Sequence, residues 1–320
     1  MAVSEFAIVA LKLSAETFNV QNQNICGIEY LTFQSETELN DADIAIISDL
    51  SFIYALFRLE NNTFTPIERK SAAYVDESIG MILKYVGKTN EIFTRMMINV
   101  AFSSIKHTGN VRLLDPLSGK GTTLYEGLIK GYDVYGIEIG EKITTEAYHF
   151  VQKFLESAKY KFDLKILRQS GEGKTNTAVR HTFTISRNKE EYKNGQIKTV
   201  ELMSGNSQFA DKYYKKNFFD IIVGDLPYGV QHGSVTNEKQ TSMTRNPTEL
   251  LESCLPAWIK ILRPGGVIVL AWNSNMIARR KMTEIIADSG LAVMNDGAYG
   301  KFEHRVDQAI VRDIIVAKKI

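Results

Sequence analysis

Two short segments carry residue types that could do chemistry. The first, Leu114-Asp115-Pro116-Leu117-Ser118-Gly119-Lys120-Gly121-Thr122-Thr123, lies between an apolar run and a helical pattern. Two close glycines let a backbone pass near a ligand without Cβ clashes, and a helix start offers free N–H groups. Glu138 follows Gly121 by seventeen residues and ends the next apolar run. An acid there can accept hydrogen bonds from the ribose hydroxyls of a nucleoside cofactor. The second segment, Asp220-Ile221-Ile222-Val223-Gly224-Asp225-Leu226-Pro227-Tyr228-Gly229, ends an apolar run with an acid, a proline and an aromatic.

Rival readings of the glycines fit less well. A phosphate loop needs Gly-x-x-x-x-Gly-Lys-Ser/Thr. Gly173-Lys174-Thr175 supplies its end, but Arg168 occupies the first glycine position. A dinucleotide fingerprint needs a third glycine, where Leu124 stands. A plain glycine turn with no ligand stays open. His107, His149, His181 and His232 show no metal-ligand spacing. Cys26 and Cys254 are too few for a disulfide scaffold and suit a reducing, cytoplasmic setting.

The elements that must position these residues alternate. Val111–Leu114, Asp133–Ile139, Phe218–Gly224 and Val267–Trp272 read as strands. Thr122–Lys130, Glu141–Ala158, Pro247–Leu262 and Met276–Ser289 read as helices. Arg263-Pro264-Gly265-Gly266 reads as a turn, and Gln308–Lys318 as a last strand. This βαβ rhythm predicts a doubly wound, mostly parallel sheet. His181–Arg187 and Gln196–Met203, joined by Asn188–Gly195, read as an inserted β-hairpin. Upstream, Thr89-Asn90-Glu91 precedes Ile92, Phe93, Met96, Met97 and Val100, the spacing of an amphipathic helix behind a cap. Ser71–Gly87 reads as a connector with a short helix. Residues 1–75 show short strand-like runs, Phe6–Leu13 and Ile44–Ile47 among them, and suggest a small α+β unit. The expected division is 1–85 and 86–320.

The formal net charge of +1 hides an asymmetry. Residues 1–75 carry −6 and the rest +7, of which residues 159–198 hold +6. A clustered basic segment is a candidate phosphate contact or a solubilising surface loop. No apolar stretch is long enough for a transmembrane helix, and no secretory signal is expected.

Taken together, the two segments resemble those of class I S-adenosylmethionine-dependent methyltransferases that act on exocyclic amines. Their motif is Asp/Asn/Ser-Pro-Pro-aromatic; here Leu226 stands where the commonest pattern has its first proline. Asp225-Leu226-Pro227-Tyr228, with Asp115-Pro116 and Gly119-x-Gly121-Thr122, is similar to some RNA guanine-N2 methyltransferases of the THUMP-associated group. The resemblance covers about residues 85–320. It implies a Rossmann-like domain with an antiparallel last strand. It also implies S-adenosylmethionine as cofactor. Asp115, Pro116, Gly119, Gly121 and Thr122 would line its methionine part, Glu138 its ribose and Asn206 its adenine. Asp225, Leu226, Pro227 and Tyr228 would handle the target base. An exocyclic amine conjugated to a purine is a poor nucleophile. An acid and a backbone carbonyl beside the proline can each accept one N–H and so orient the lone pair. The aromatic would stack on a flipped-out base. In the resembled group the segment before the first strand often closes over the cofactor.

The substrate implied is RNA, with guanine N2 of tRNA leading. Adenine N6 in DNA or RNA and a glutamine amide in a protein stay open, as does a non-catalytic RNA-binding protein that keeps the fold. Residues 1–85 are too short and too acidic to read as a THUMP domain. They are instead a reduced relative, a protein-partner module or a scaffold. RNA would meet the basic hairpin 179–203 and the loop after Tyr228. His304-Arg305-Val306-Asp307 and Arg279-Arg280-Lys281 read mainly as solvated surface, and Trp272 as core.

Overall fold

The computed structural model describes residues 1–70, 73–82, 89–106, 109–170, 177–228 and 247–320. Its N-terminal part holds helix α1 (Ala2–Val9), the hairpin β1 (Thr17–Ile25) and β2 (Ile28–Ser35), helix α2 (Asp41–Ser48) and the hairpin β3 (Leu56–Glu60) and β4 (Thr63–Ile67). The strands expected at Phe6–Leu13 and Ile44–Ile47 are therefore helical. A short apolar run does not by itself distinguish the two periods. For α2 the deciding signal is the cap: Asn40 accepts from the Asp43 N–H, and the Asp43 carboxylate accepts from the Asn40 N–H. Phe6, Val9, Ile47, Leu50 and Leu56 form a small core of their own.

Two helices, α3 (Ser78–Ile82) and α4 (Glu91–Ser103), lead into the large sheet. Val75 and Ile79 already pack with the sheet's core rather than with the N-terminal one. Then come β5 (Arg112–Asp115), α5 (Thr122–Ile129), β6 (Asp133–Glu138), α6 (Glu141–Ser157), β7 (Lys161–Ser170), β8 (Thr177–Ser186), α7 (Lys189–Lys193), β9 (Lys198–Ser204), α8 (Ala210–Tyr213), β10 (Phe219–Asp225), α9 (Pro247–Ile261), β11 (Leu262–Asn273), α10 (Arg279–Asp288), β12 (Ala292–Met294), β13 (His304–Arg305) and β14 (Val311–Lys318). Helix α10 starts three residues later than expected. Strand β11 already begins at the expected turn, where its pairing with β10 shifts register.

The sheet order is β12-β14-β11-β10-β5-β6-β9-β8-β7, with β13 on β14. Strands β11, β10, β5, β6 and β9 run parallel, and β14 is antiparallel to β11. Successive residues alternate between two layers. Leu113, Ile221 and Val223 meet the α4–α5–α6 side, and Leu114, Ile222 and Leu270 the α9–α10 side. The hairpin forms, but it is no insertion: its second strand, β9, is a core parallel strand. The addition is β7 with β8, which extends the sheet antiparallel at that edge. Strand β7 was hidden because its polar, basic sequence, read for charge, also gives a half-exposed edge strand. No helix among the described residues is long and apolar enough to cross a membrane.

Candidate active site

Strand order reverses between β5 and β10. From β5 the chain proceeds to β6 and β9 on one side, and from β10 to β11 and β14 on the other. Ligands of doubly wound sheets bind at the carboxyl ends beside such a reversal. Asp115 ends β5 and Asp225 ends β10. The two motifs touch there: a Cβ on Gly224 would lie 3.4 Å from Pro116 Cδ, so only a small residue lets Pro116 lie over β10 at ordinary contact.

The glycine loop is held by backbone groups. Gly119 and Gly121 have φ of +51° and +95°, the left-handed region that favours glycine. A Cβ on Gly121 would also press on the Tyr125 ring at 3.1 Å, while one on Gly119 would meet open space. Ser118 N–H donates to Ile137 O (2.9 Å), which lays the loop across β6. Gly136 makes room for it, since a Cβ there would come 2.7 Å from Ser118 Oγ. The Glu138 carboxylate accepts from Gly119 N–H (3.0 Å) and Gly140 N–H (2.8 Å). Asp115, only 4% exposed, accepts from Leu117 N–H (3.0 Å) and from the Thr123 hydroxyl.

The Asp225 end is held by side chains. Leu226 is buried, and its N–H donates to Ala271 O (2.9 Å), which fixes the turn to β11. Both Asp225 oxygens accept hydroxyl bonds, from Tyr228 (2.5 Å) and from Thr89 (2.8 Å). Thr89 immediately precedes Asn90, whose side chain caps α4 by accepting from Ile92 and Phe93 N–H. So Thr89, ahead of the first sheet strand, contacts Asp225, while the helix it precedes packs Met96, Met97 and Val100 into the core. The Arg312 guanidinium lies between two rings, 4.5 Å from Phe93 and 5.1 Å from Tyr228. Phe93 in turn contacts the His304 ring at 5.4 Å. Arg312 is 8% exposed, and its Nε has no hydrogen-bond partner among the described residues. That orphan donor costs about 1–3 kcal/mol, offset by cation–π contacts of about 0.5–2 kcal/mol each.

Three carboxylates thus converge, and each binds a proton more readily than usual. Burial pushes Asp115 up to about 7, against the Thr123 and Leu117 bonds, and the charges of Asp225 and Glu138 add to the rise. Burial also raises Asp225, opposed by the Arg312 charge and the two hydroxyls. Burial raises Glu138, opposed by its backbone N–H bonds. None of the three has a salt-bridge partner among the described residues. Such a cluster favours a cationic ligand, which relieves the mutual repulsion. S-adenosylmethionine, with a sulfonium, an ammonium and a ribose diol, fits this donor set.

Other expected residues fall elsewhere. Gly205 N–H donates to Glu138 O (2.8 Å), so the turn holding Asn206 adjoins the site. The Asn206 side chain, however, caps the following 3-10 turn by accepting from Gln208 N–H. In hairpin 179–203, Arg180 reaches Tyr213 O and Glu201, Arg187 pairs with Glu191, and Lys198 donates to Asn110. Its tip, with Lys189 and Lys193, lies at the amino ends of the parallel strands, since Ile185 pairs with Lys198 and Val179 with Ser204. The tip is therefore about 20 Å of strand away from the site edge. Arg279 bridges buried Asp313 (2.5 Å), Arg280 pairs with Glu284, and Trp272 is core. His181 is buried and stacks on Tyr148. The described residues hold no metal-binding cluster. His107, His232, Gly173-Lys174-Thr175 and the loop from Gly229 lie outside the described residues. Thr89, Phe93, Gly136 and Arg312 were missed. The one readable signal was Arg312, a charge inside an apolar strand.

The fold and the converging carboxylates are those of a Rossmann-like domain of the methyltransferase type. Residues 100–294, more than half of the chain, match the family described as UPF0020, RMKL-like, methyltransferase domain, and the chain belongs to that family. No curated protein matches it. Among solved structures it is similar to TehB from Haemophilus influenzae, with 14% identity, TM-score 0.37, and 70% of this chain and 61% of that one covered. It is similar to TrmN from Thermus thermophilus, with 12% identity, TM-score 0.41, and 76% and 52% covered. A third is the T. thermophilus 16S rRNA N2 methyltransferase RsmC with AdoMet and guanosine, with 13% identity, TM-score 0.32, and 85% and 46% covered. The chain thus spans less than two thirds of each of these three.

Proposed function

We propose that this chain transfers a methyl group from S-adenosylmethionine to an exocyclic amine of an RNA base, with guanine N2 of tRNA the leading target. The observation that carries the reading is Asp225, a half-buried carboxylate at the sheet's reversal point whose two oxygens both accept hydroxyl bonds. An N–H of the amine can take over one of those acceptor positions, the other N–H going to the backbone carbonyl beside Pro227. Asp225 then orients the nitrogen, and its charge opposes the positive charge that develops there. Tyr228, freed from Asp225, offers its ring to the base. Asp115, Pro116, Gly119, Gly121 and Thr122 would hold the methionine part of the cofactor, Glu138 its ribose, and the Asn206 turn its adenine. When bound, the cofactor supplies an electrophilic methyl group on sulfur.

RNA is favoured by the resemblance of the Asp-Leu-Pro-Tyr segment to RNA guanine-N2 methyltransferases. The RNA face of hairpin 179–203 is its site-ward end near Arg180, continued by Arg168 on β7, rather than its tip. A cytoplasmic setting suits two free cysteines. Residues 1–85 serve as a scaffold or as a module for a protein partner. The test is labelled methyl transfer to unmodified total tRNA, followed by nucleoside mass spectrometry. Label in N2-methylguanosine supports the reading. Label in N6-methyladenosine, or in protein glutamine, moves the target. Cofactor binding without transfer to any of these favours a non-catalytic RNA binder.

A further inference from the structure

The column His304–Phe93–Arg312–Tyr228 brings β13, α4, β14 and the segment after β10 to one point. Its centre is a buried cation whose Nε has no hydrogen-bond partner among the described residues and which lies over two rings. We propose that Arg312 is a positioning residue for the transfer reaction: clamped between Phe93 and Tyr228, it keeps the Asp225 carboxylate charged and holds Tyr228 folded over it. The inference rests on the functional reading of Asp225 given above.

Among the described residues, the groups facing Asp225 are few. Asp115 approaches from β5 and repels it. Tyr228 and Thr89 donate hydroxyls. Strand β11 contributes Ala271, which is uncharged. Arg312 on β14 is the positive charge whose field lowers the proton affinity of Asp225. Without it, burial and Asp115 both favour the protonated acid. A protonated Asp225 loses acceptor capacity and the negative charge that stabilises the positive charge developing on the amine. The ring clamp matters as much as the charge. A planar guanidinium can stack on an aromatic ring, whereas an ammonium is a point charge. The same stack seats the Tyr228 ring, which must move when a base arrives.

The experiment is a ¹³C-aspartate titration of the full chain. The Asp225 resonance is assigned as the one missing from Asp225→Asn. In Arg312→Gln its midpoint should rise by about one to three pH units, and the acid limb of kcat/KM should move up with it. Arg312→Lys should keep the midpoint near native while KM rises several-fold, on the order of 3–10-fold. An unmoved midpoint in Arg312→Gln overturns the proposal, as does identical behaviour of the Gln and Lys variants. Should Arg312→Gln show no cooperative thermal transition, Phe93→Leu opens one side of the clamp. The midpoint should then rise by less, and an unchanged midpoint overturns the proposal equally. If Asp225→Asn still transfers methyl groups, the reading of Asp225 fails, whatever the titration of Arg312→Gln shows.

Discussion

The two halves of the site are built by opposite means. At β5 and β6, backbone N–H groups of Gly119, Gly140 and Leu117, joined by one hydroxyl from Thr123, hold the carboxylates of Glu138 and Asp115. At β10, side-chain hydroxyls of Thr89 and Tyr228 hold Asp225. Backbone bonds fixed by the sheet are pre-organised, whereas hydroxyl rotors can be displaced. The first arrangement suits a cofactor bound in one pose. The second suits a substrate that must replace what is there.

The sharpest way to break this contrast is Asp225→Ala. Transfer should fall by roughly 10²–10³-fold or more, with the cofactor dissociation constant within about threefold of native. Single-turnover transfer and calorimetry measure the two; a parallel loss of both would erase the division. Next is Tyr228→Ala, which removes a stacking face and should cost roughly 10–100-fold in kcat/KM. Tyr228→Phe keeps the ring and should cost only about two- to threefold. On the cofactor side, Gly121→Ala forces a left-handed φ and a contact with Tyr125. It should weaken cofactor binding about tenfold and lower stability by about 1–2 kcal/mol.

A smaller effect is expected from pH. Asp115, pushed up to about 7, must lose its proton to meet a cation well. Cofactor affinity should therefore rise from pH 6 to pH 8, by less than about tenfold, with proton release on binding. The unliganded fold has the opposite dependence. A raised carboxyl contributes stability below its unfolded value near 3.9, and that contribution is lost as pH climbs through about 7. Asp115→Asn should thus raise the melting temperature more at pH 8 than at pH 5. Smallest of all, Lys189→Ala with Lys193→Ala should change RNA affinity by less than about twofold, because the hairpin tip is at the wrong edge; Arg168→Ala should cost more.

Much of the site was legible because acids end apolar runs. Asp115, Glu138 and Asp225 each close a strand whose neighbours are buried, and the glycines between them mark the turn. What stayed hidden depends on tertiary return. Thr89 reaches Asp225 across 136 residues, and Arg312 arrives only because β14 runs back antiparallel beside β11. No local spacing encodes Thr89, and the charge of Arg312 within an apolar run marks the residue without saying what it reaches. The N-terminal helices were hidden for a different reason: runs of four to eight apolar residues satisfy both periods, and α1 is settled by its packing on α4.

That packing has a consequence for synthesis. Helix α1 sits against α4 and against the turn at residues 297–300, and Ser4 donates to Lys301 O across 297 residues. At about 5–20 residues per second, α1 waits roughly 15–60 s for that surface to be made. Until then Phe6, Ile8 and the carboxyl of Glu5, buried in the finished protein, have no complete berth. Helix α1 is therefore made well before the surface it docks on, and the vulnerable period during translation is the interval between the two.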